Sequence, residues 1–143
     1  MTTEQGTAPW GVDSESGRLR EVLLCPPEHF QWFPANAVAE RTLREGLTFD
    51  RAVAARQHDE MVRALNEAGV DTPFAPRDPH LQYQVYTRDP AVMTPWGVFL
   101  AQMMRPQRRG EIATSHLFYA QRGIPVWRWA TAGAIEGGDV HLI

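Results

Sequence analysis

Leu65-Asn66-Glu67-Ala68-Gly69-Val70 and Tyr119-Ala120-Gln121-Arg122-Gly123-Ile124 are two versions of one junction: a helix end, a glycine stop and the entry to a strand. They are spaced by about 54 residues, the distance from Leu65 to Tyr119. Upstream of the first junction, Val53, Gln57, Met61 and Leu65 recur every four residues, with Ala52 and Ala64 beside them. This spacing predicts a helix over 49–68, followed by a strand over 70–74. The second junction predicts a helix over 110–121 and a strand over 124–129. Between the copies, short apolar runs at 84–87, 91–94 and 98–103 are punctuated by Pro90, Pro95 and Gly97, as hairpin strands would be. A chain that repeats strand, strand, helix, strand folds as α/β or α+β modules, and repetition about an axis puts strand ends at a shared centre.

The repeat occupies most of the sequence. Residues 1–16 are polar and rich in Gly, Ser and Thr and read as a flexible arm; 20–24 reads as a buried strand ended by Pro26-Pro27. The connection from His29 to Asp50 holds Phe30, Trp32, Phe33 and Phe49, too apolar for a loose linker, and suits a flap or a short helix. At 43% hydrophobic and 22% charged residues, the chain can bury a core of one compact domain. A net charge of −3 argues against an electrostatic nucleic-acid binder. No apolar run reaches the roughly 18 residues that span a bilayer, and the first residues lack a signal pattern, so a cytoplasmic protein with no membrane partner is expected. Cys25 is the single cysteine, and the five histidines lack metal-ligand spacing. Neither a metal nor another cofactor is expected.

Three motifs carry the chemistry. Tyr86-Thr87-Arg88-Asp89-Pro90 sets an arginine and an acid before a proline. Arg105-Pro106-Gln107-Arg108-Arg109-Gly110-Glu111 is a basic loop leading into a helix. Glu136-Gly137-Gly138-Asp139 places two carboxylates around a Gly-Gly bend, where glycine permits φ > 0 and a close approach of main chain to a ligand. Together they offer acids for a cation and arginines for an anion. A planar guanidinium, with its five donors, asks for carboxylates in bidentate reach, and Asp89 and Glu136 are the natural pair. The alternatives stay open. Asp89 can stabilise a turn before Pro90, Asp139 can simply brace the bend, Arg88 can pair with a neighbouring acid, and Arg105, Arg108 and Arg109 can be solvated. His141 falls on the same face as Asp139 if this stretch is a strand.

In order and spacing, Thr-Arg-Asp-Pro, Arg-Arg-Gly-Glu and Glu-Gly-Gly-Asp-Val resemble the N-terminal half of the guanidino-group-modifying superfamily, which includes arginine deiminases, dimethylarginine dimethylaminohydrolases and amidinotransferases. The stretch from Gly17 to Pro27 resembles that family's first strand, so the similarity runs from about residue 17 to the end. The resemblance implies a pentein fold, an α/β propeller of five ββαβ modules, with 17–143 forming two to three of them as an apparently truncated N-terminal part. It implies an amidinohydrolase acting on arginine or a methylated arginine through a covalent Cys-thiouronium intermediate. Asp89 would grip the guanidinium, Glu136 would bind and orient it, Arg108 would hold the substrate α-carboxylate, and Asp139 would assist in binding. The family's nucleophilic cysteine and its histidine lie further along a longer chain, so Cys25 is expected to be a small buried hydrophobe and His141 an ordinary strand residue. Tyr83 stands where the family often has Asp or Asn. These 143 residues are therefore expected to be inactive alone and to be completed by the rest of the fold on another polypeptide. An amidinotransferase half and a non-catalytic pentein-like binding module are the alternatives.

Overall fold

The computed structural model describes residues 8–34 and 36–142, so Met1–Thr7 of the expected arm lie outside the described residues. Packing divides the chain into two units, one made of Leu19–Tyr86 and the other of Met1–Arg18 with Thr87–Ile143.

The Leu19–Tyr86 unit is a strand, helix, strand arrangement with an imperfect ladder. Asp71 N donates to Arg20 O, Val22 N to Asp71 O, Leu24 N to Pro73 O and Ala75 N to Leu24 O, all at 2.8–3.0 Å. One rung is missing because Pro73 has no N–H to offer, so the two expected strands survive as parallel bridges at Glu21–Asp71 and Leu24–Phe74. The 29–50 connection contains a short helix, α1 (Ala37–Arg44), whose Asn36 cap accepts from Ala39 N. Helix α2 (Arg51–Glu67) begins at Asp50, whose carboxylate accepts from Val53 N, and stops at Gly69, where φ is +77°.

The face that α2 turns inward differs from the expected one. Val53, Ala54, His58, Val62 and Leu65 are half-buried, while Gln57 is exposed and Met61 is 44% exposed. A strict four-residue spacing gains about 40° per step on a 3.6-residue helix, so Val53, Gln57, Met61 and Leu65 wind around the surface and cannot share one stripe.

The aromatic residues of the connection pack together as their composition required. Phe30 is buried, with ring centroids at 4.7 Å from Phe49, 5.1 Å from Trp32 and 5.5 Å from Tyr83. The Tyr83 hydroxyl accepts from Phe33 N at 3.0 Å. The 84–87 stretch, expected as a strand, is part of a run of turns in which Gln84 N donates to Leu81 O and Tyr86 N to Tyr83 O. Gln84 holds them: buried, it accepts from Asp78 N at 2.8 Å and donates to Pro76 O at 3.0 Å. Gln84→Ala should therefore cost about 1.5 kcal/mol, the price of two half-buried backbone groups losing their partner, measured as a lower urea midpoint at unchanged slope.

In the other unit, β1 (Ala91–Thr94) and β2 (Gly97–Leu100) form an antiparallel hairpin, and β3 (Val126–Trp129) lies parallel to β2 after the crossover helix α3 (Glu111–Gln121). The core centres on β2 and its continuation, where Val98, Leu100, Ala101 and Met103 are wholly buried. From α3, Ile112, Ser115, Phe118 and Tyr119 are buried, at the spacing of one helical face. Gly97 has φ +132°, and a Cβ there would lie 2.4 Å from Pro125 O, so the hairpin turn and the β2–β3 contact both require glycine.

The 54-residue repeat is visible in hydrogen bonds. Gly69 N donates to Asn66 O and Val70 N to Leu65 O; Gly123 N donates to Ala120 O and Ile124 N to Tyr119 O. Each donor and each acceptor of the first junction has its counterpart about 54 residues later. No helix among the described residues is long and apolar enough to cross a membrane.

Candidate functional site

Both candidate acids belong to the unit that contains the β1–β2 hairpin. Asp89 lies in the turn that feeds β1, and Glu136 precedes the short 3-10 turn Gly137–Asp139. The two turns are locked to each other by main chain: Gly137 N donates to Asp89 O at 2.8 Å. A Cβ on Gly137 would lie 1.9 Å from Arg88 O and 2.9 Å from a Val92 methyl. Neither Gly137 nor Gly138 has a positive φ, which corrects the expectation that the bend exploits left-handed backbone. Glycine is needed at 137 for space, and what approaches it is the Thr-Arg-Asp-Pro turn rather than a ligand.

Arg88 reinforces this docking. Its Nε donates to Gly137 O at 3.3 Å and its Nη2 to Val140 O at 2.9 Å, and Nη2 also pairs with Glu15 at 3.3 Å. Glu15 accepts from Leu142 N as well. That backbone donor first, and Arg88 second, hold the Glu15 carboxyl below its usual range. The expected pairing of Arg88 with an acid is present, and its larger role is to tie down the segment that follows Glu136.

The loop between β2 and α3 touches both acids. Met104 N donates to Glu136 Oε1 at 3.2 Å. Four residues on, Arg108 closes a 3-10 turn (Pro106–Arg108) and is 8% exposed. Its Nε and Nη2 donate to Glu111 Oε1 and Oε2 at 2.9 and 2.7 Å, a bidentate pair, and its Nη1 donates to Asp89 Oδ2 at 2.8 Å. Burial would pull the Arg108 guanidinium down, but the hydrogen bonds and charges of Glu111 and Asp89 outweigh it and hold Arg108 cationic. Glu111 is 2% exposed. Burial raises its carboxyl above the usual range, Arg108 offsets part of that, and the negative charges of Asp89 and Glu136 push it up further. Two carboxylates thus share one guanidinium while the charge of a third, Glu136, is felt at Glu111, and the excess negative charge suits a cation.

Arg108 was expected to present its fork to a substrate carboxylate; in the structure the fork is buried among acids of its own chain. The Asp139 side chain is exposed, and its Oδ2 accepts from Glu136 N at 3.0 Å, bracing the bend. Because Gly137–Asp139 is a turn, strand alternation does not align Asp139 with His141, which is exposed. Arg109 is exposed, with Nε on Met103 O at 3.3 Å. Cys25 is 5% exposed and lies in the other unit. Sequence reasoning gave no role to Glu111, although an Arg and a Glu three residues apart at a helix start are placed to pair. Among the described residues, no group of three or more His, Cys, Asp or Glu side chains is arranged to hold a metal ion.

The chain is similar to several known proteins. A family model described as arginine deiminase matches residues 78–143. An uncharacterized protein of Bacillus subtilis, YkgA, is 34% identical over 131 residues, covering 90% of this chain and 44% of its own length. The N(G),N(G)-dimethylarginine dimethylaminohydrolase of Pseudomonas aeruginosa is 30% identical over 113 residues, 72% of this chain and 43% of the enzyme. The chain therefore spans less than half the length of the curated relatives it matches. Among solved structures, a dimethylarginine dimethylaminohydrolase adduct with 4-chloro-2-hydroxymethylpyridine superposes with a TM-score of 0.64 at 25% identity, over 88% of this chain and 46% of that one. The P. aeruginosa enzyme complexed with citrulline gives 0.68 at 24% identity, over 85% and 46%. AgrE with L-arginine gives 0.73 at 19% identity, over 83% and 17%.

Proposed function

We infer what this chain does from what it is: it belongs to the guanidino-group-modifying enzyme superfamily and is built on part of the pentein fold. Our reading is that these residues form the positioning half of an amidinohydrolase that acts on arginine or a methylated arginine. The observation that carries it is the docking of Gly137 on Asp89, which brings two acid-bearing turns into one negatively charged cluster. Relatives named for dimethylarginine, or bound to citrulline or L-arginine, support the substrate class.

In this reading Asp89 grips the guanidinium and Glu136 orients it, each through charge-assisted hydrogen bonds. Arg108 holds Asp89, since Nε, Nη1 and Nη2 each already donate to an acid, and Asp139 holds the Glu136 turn. The reaction then needs a thiolate to attack the guanidinium carbon and a histidine to protonate the departing amine. Water next cleaves the thiouronium, returning the thiolate and leaving a urea. We assign that cysteine and histidine to sequence outside these 143 residues, because Cys25 is buried and the resemblance puts both reactive residues further along a longer chain.

The test is citrulline and ornithine formation from arginine and from its methylated forms, by the full gene product and by this chain in parallel. Citrulline from the full product alone is expected. Ornithine formed only with an added amine acceptor would replace hydrolysis by amidino transfer, and silence of the full product under both conditions would leave a binding module.

A further inference from the structure

Glu111 is the most deeply buried acid of the chain's described residues and opens a helix whose other buried side chains are mostly apolar. Taking a carboxylate out of water costs several kcal/mol even when it is paired, so a buried pair of this kind is weak evidence of stabilisation and asks for another reason. The geometry supplies one. Glu111 binds the edge of the Arg108 fork formed by Nε and Nη2, which fixes the plane of the guanidinium; Nη1 is then the donor that reaches Asp89 Oδ2. Asp89 Oδ1 has no hydrogen-bond partner among the described residues. The backbone of Asp89 is fixed separately by Gly137, so the arginine decides only where the carboxylate points.

We infer that Glu111 is a positioning residue of the guanidinium site: it locks the plane of Arg108, which holds one oxygen of Asp89 and turns the other towards the substrate. The inference rests on the functional reading for its last step, the substrate, but the chain of contacts from Glu111 to Asp89 stands without it. The same loop holds Glu136 through Met104 N, so the segment from Met104 to Glu111 contacts both acids. Small displacements of such a pair are costly, since about 1 Å of misplacement removes on the order of 100-fold in rate.

The experiment uses the full gene product and the variants Glu111→Gln, Glu111→Asp and the double variant Arg108→Met with Glu111→Met. Thermal unfolding, kcat and KM on the best guanidino substrate, and the side-chain NMR signals of Arg108 are recorded for each. In the wild type, the Arg108 Nη protons should give separate, slowly exchanging signals, because its fork is held at both ends. Glu111→Gln should merge them and lower kcat/KM by about 100-fold, and Glu111→Asp should recover part of both. The double variant removes the buried charges as a unit, so it should regain thermal stability while turnover stays low. Recovery of turnover together with stability in the double variant would reduce Glu111 to a structural residue and overturn the inference. Arg108 signals that stay separate in Glu111→Gln would also overturn it. If the wild type turns over no guanidino compound, the functional reading fails by itself, and the NMR signals still decide whether Glu111 orients Arg108.

Discussion

Alanine at Gly137 is expected to destabilise the full-length protein by about 4 kcal/mol or more and to abolish guanidine binding, while alanine at Gly138 stays within about 0.5 kcal/mol of wild type. The two glycines are adjacent, and neither has a positive φ, so a difference between them cannot come from backbone preference. It comes from space. At 137 the added methyl would sit 1.9 Å from Arg88 O, a main-chain atom anchored by its own turn, whereas at 138 nothing lies within 4 Å. Overpacking against a flexible side chain can relax; against backbone it must separate the two turns and break the Gly137–Asp89 hydrogen bond. Urea unfolding of both variants, with arginine binding by calorimetry, reads the contrast. Equal effects at the two positions would remove the close approach as the element that assembles the site.

Gly137 also shows what the sequence made legible. That Glu-Gly-Gly-Asp needs glycine for a close approach could be read from the motif; that the approaching group is the Arg88 carbonyl could not, because it depends on a contact 49 residues away. The helices were legible for the same reason that Gly69 and Gly123 were: capping and stop signals are local. The inward face of α2 was not, since a four-residue spacing mimics a stripe over one turn and leaves it over three. The missing rung at Pro73 follows from one residue's lost N–H, yet only the pairing with Val22 shows that the loss falls inside a ladder. The turns around Gln84 contradict an apolar run because a single buried amide, bound to Asp78 and Pro76, outweighs weak strand propensity. In the site, the acids were legible as residue types, and the partner that spends Arg108 was not: Glu111 stood in the motif, but its burial is a tertiary fact.

Asp89→Asn and Glu136→Gln should both leave the fold intact and each lower kcat/KM, but through different kinetic terms. In Asp89→Asn, Arg108 keeps its bidentate hold on Glu111, so no buried charge is orphaned and the unfolding midpoint should move little. The lost charge-assisted bond to a cationic substrate is worth up to about 3 kcal/mol, or on the order of 100-fold, and falls on ground-state binding, so KM rises. Glu136 is only half-buried and is held by Met104 N, a contact that a glutamine oxygen can preserve, so its placement survives while its charge does not. If it orients the guanidinium for attack, the deficit appears in kcat, by about 1,000-fold or more, with KM nearly unchanged. Steady-state kinetics with arginine and dimethylarginine on the full gene product separates the two. Wild-type kcat/KM in either variant would remove that acid from the site; a loss that tracks the melting temperature in both would mean that the carboxylates only hold the turns together. A rise in KM at Asp89 beside a fall in kcat at Glu136 is what distinguishes a gripping acid from an orienting one, because the first acts on substrate and transition state alike and the second only as the carbon is attacked.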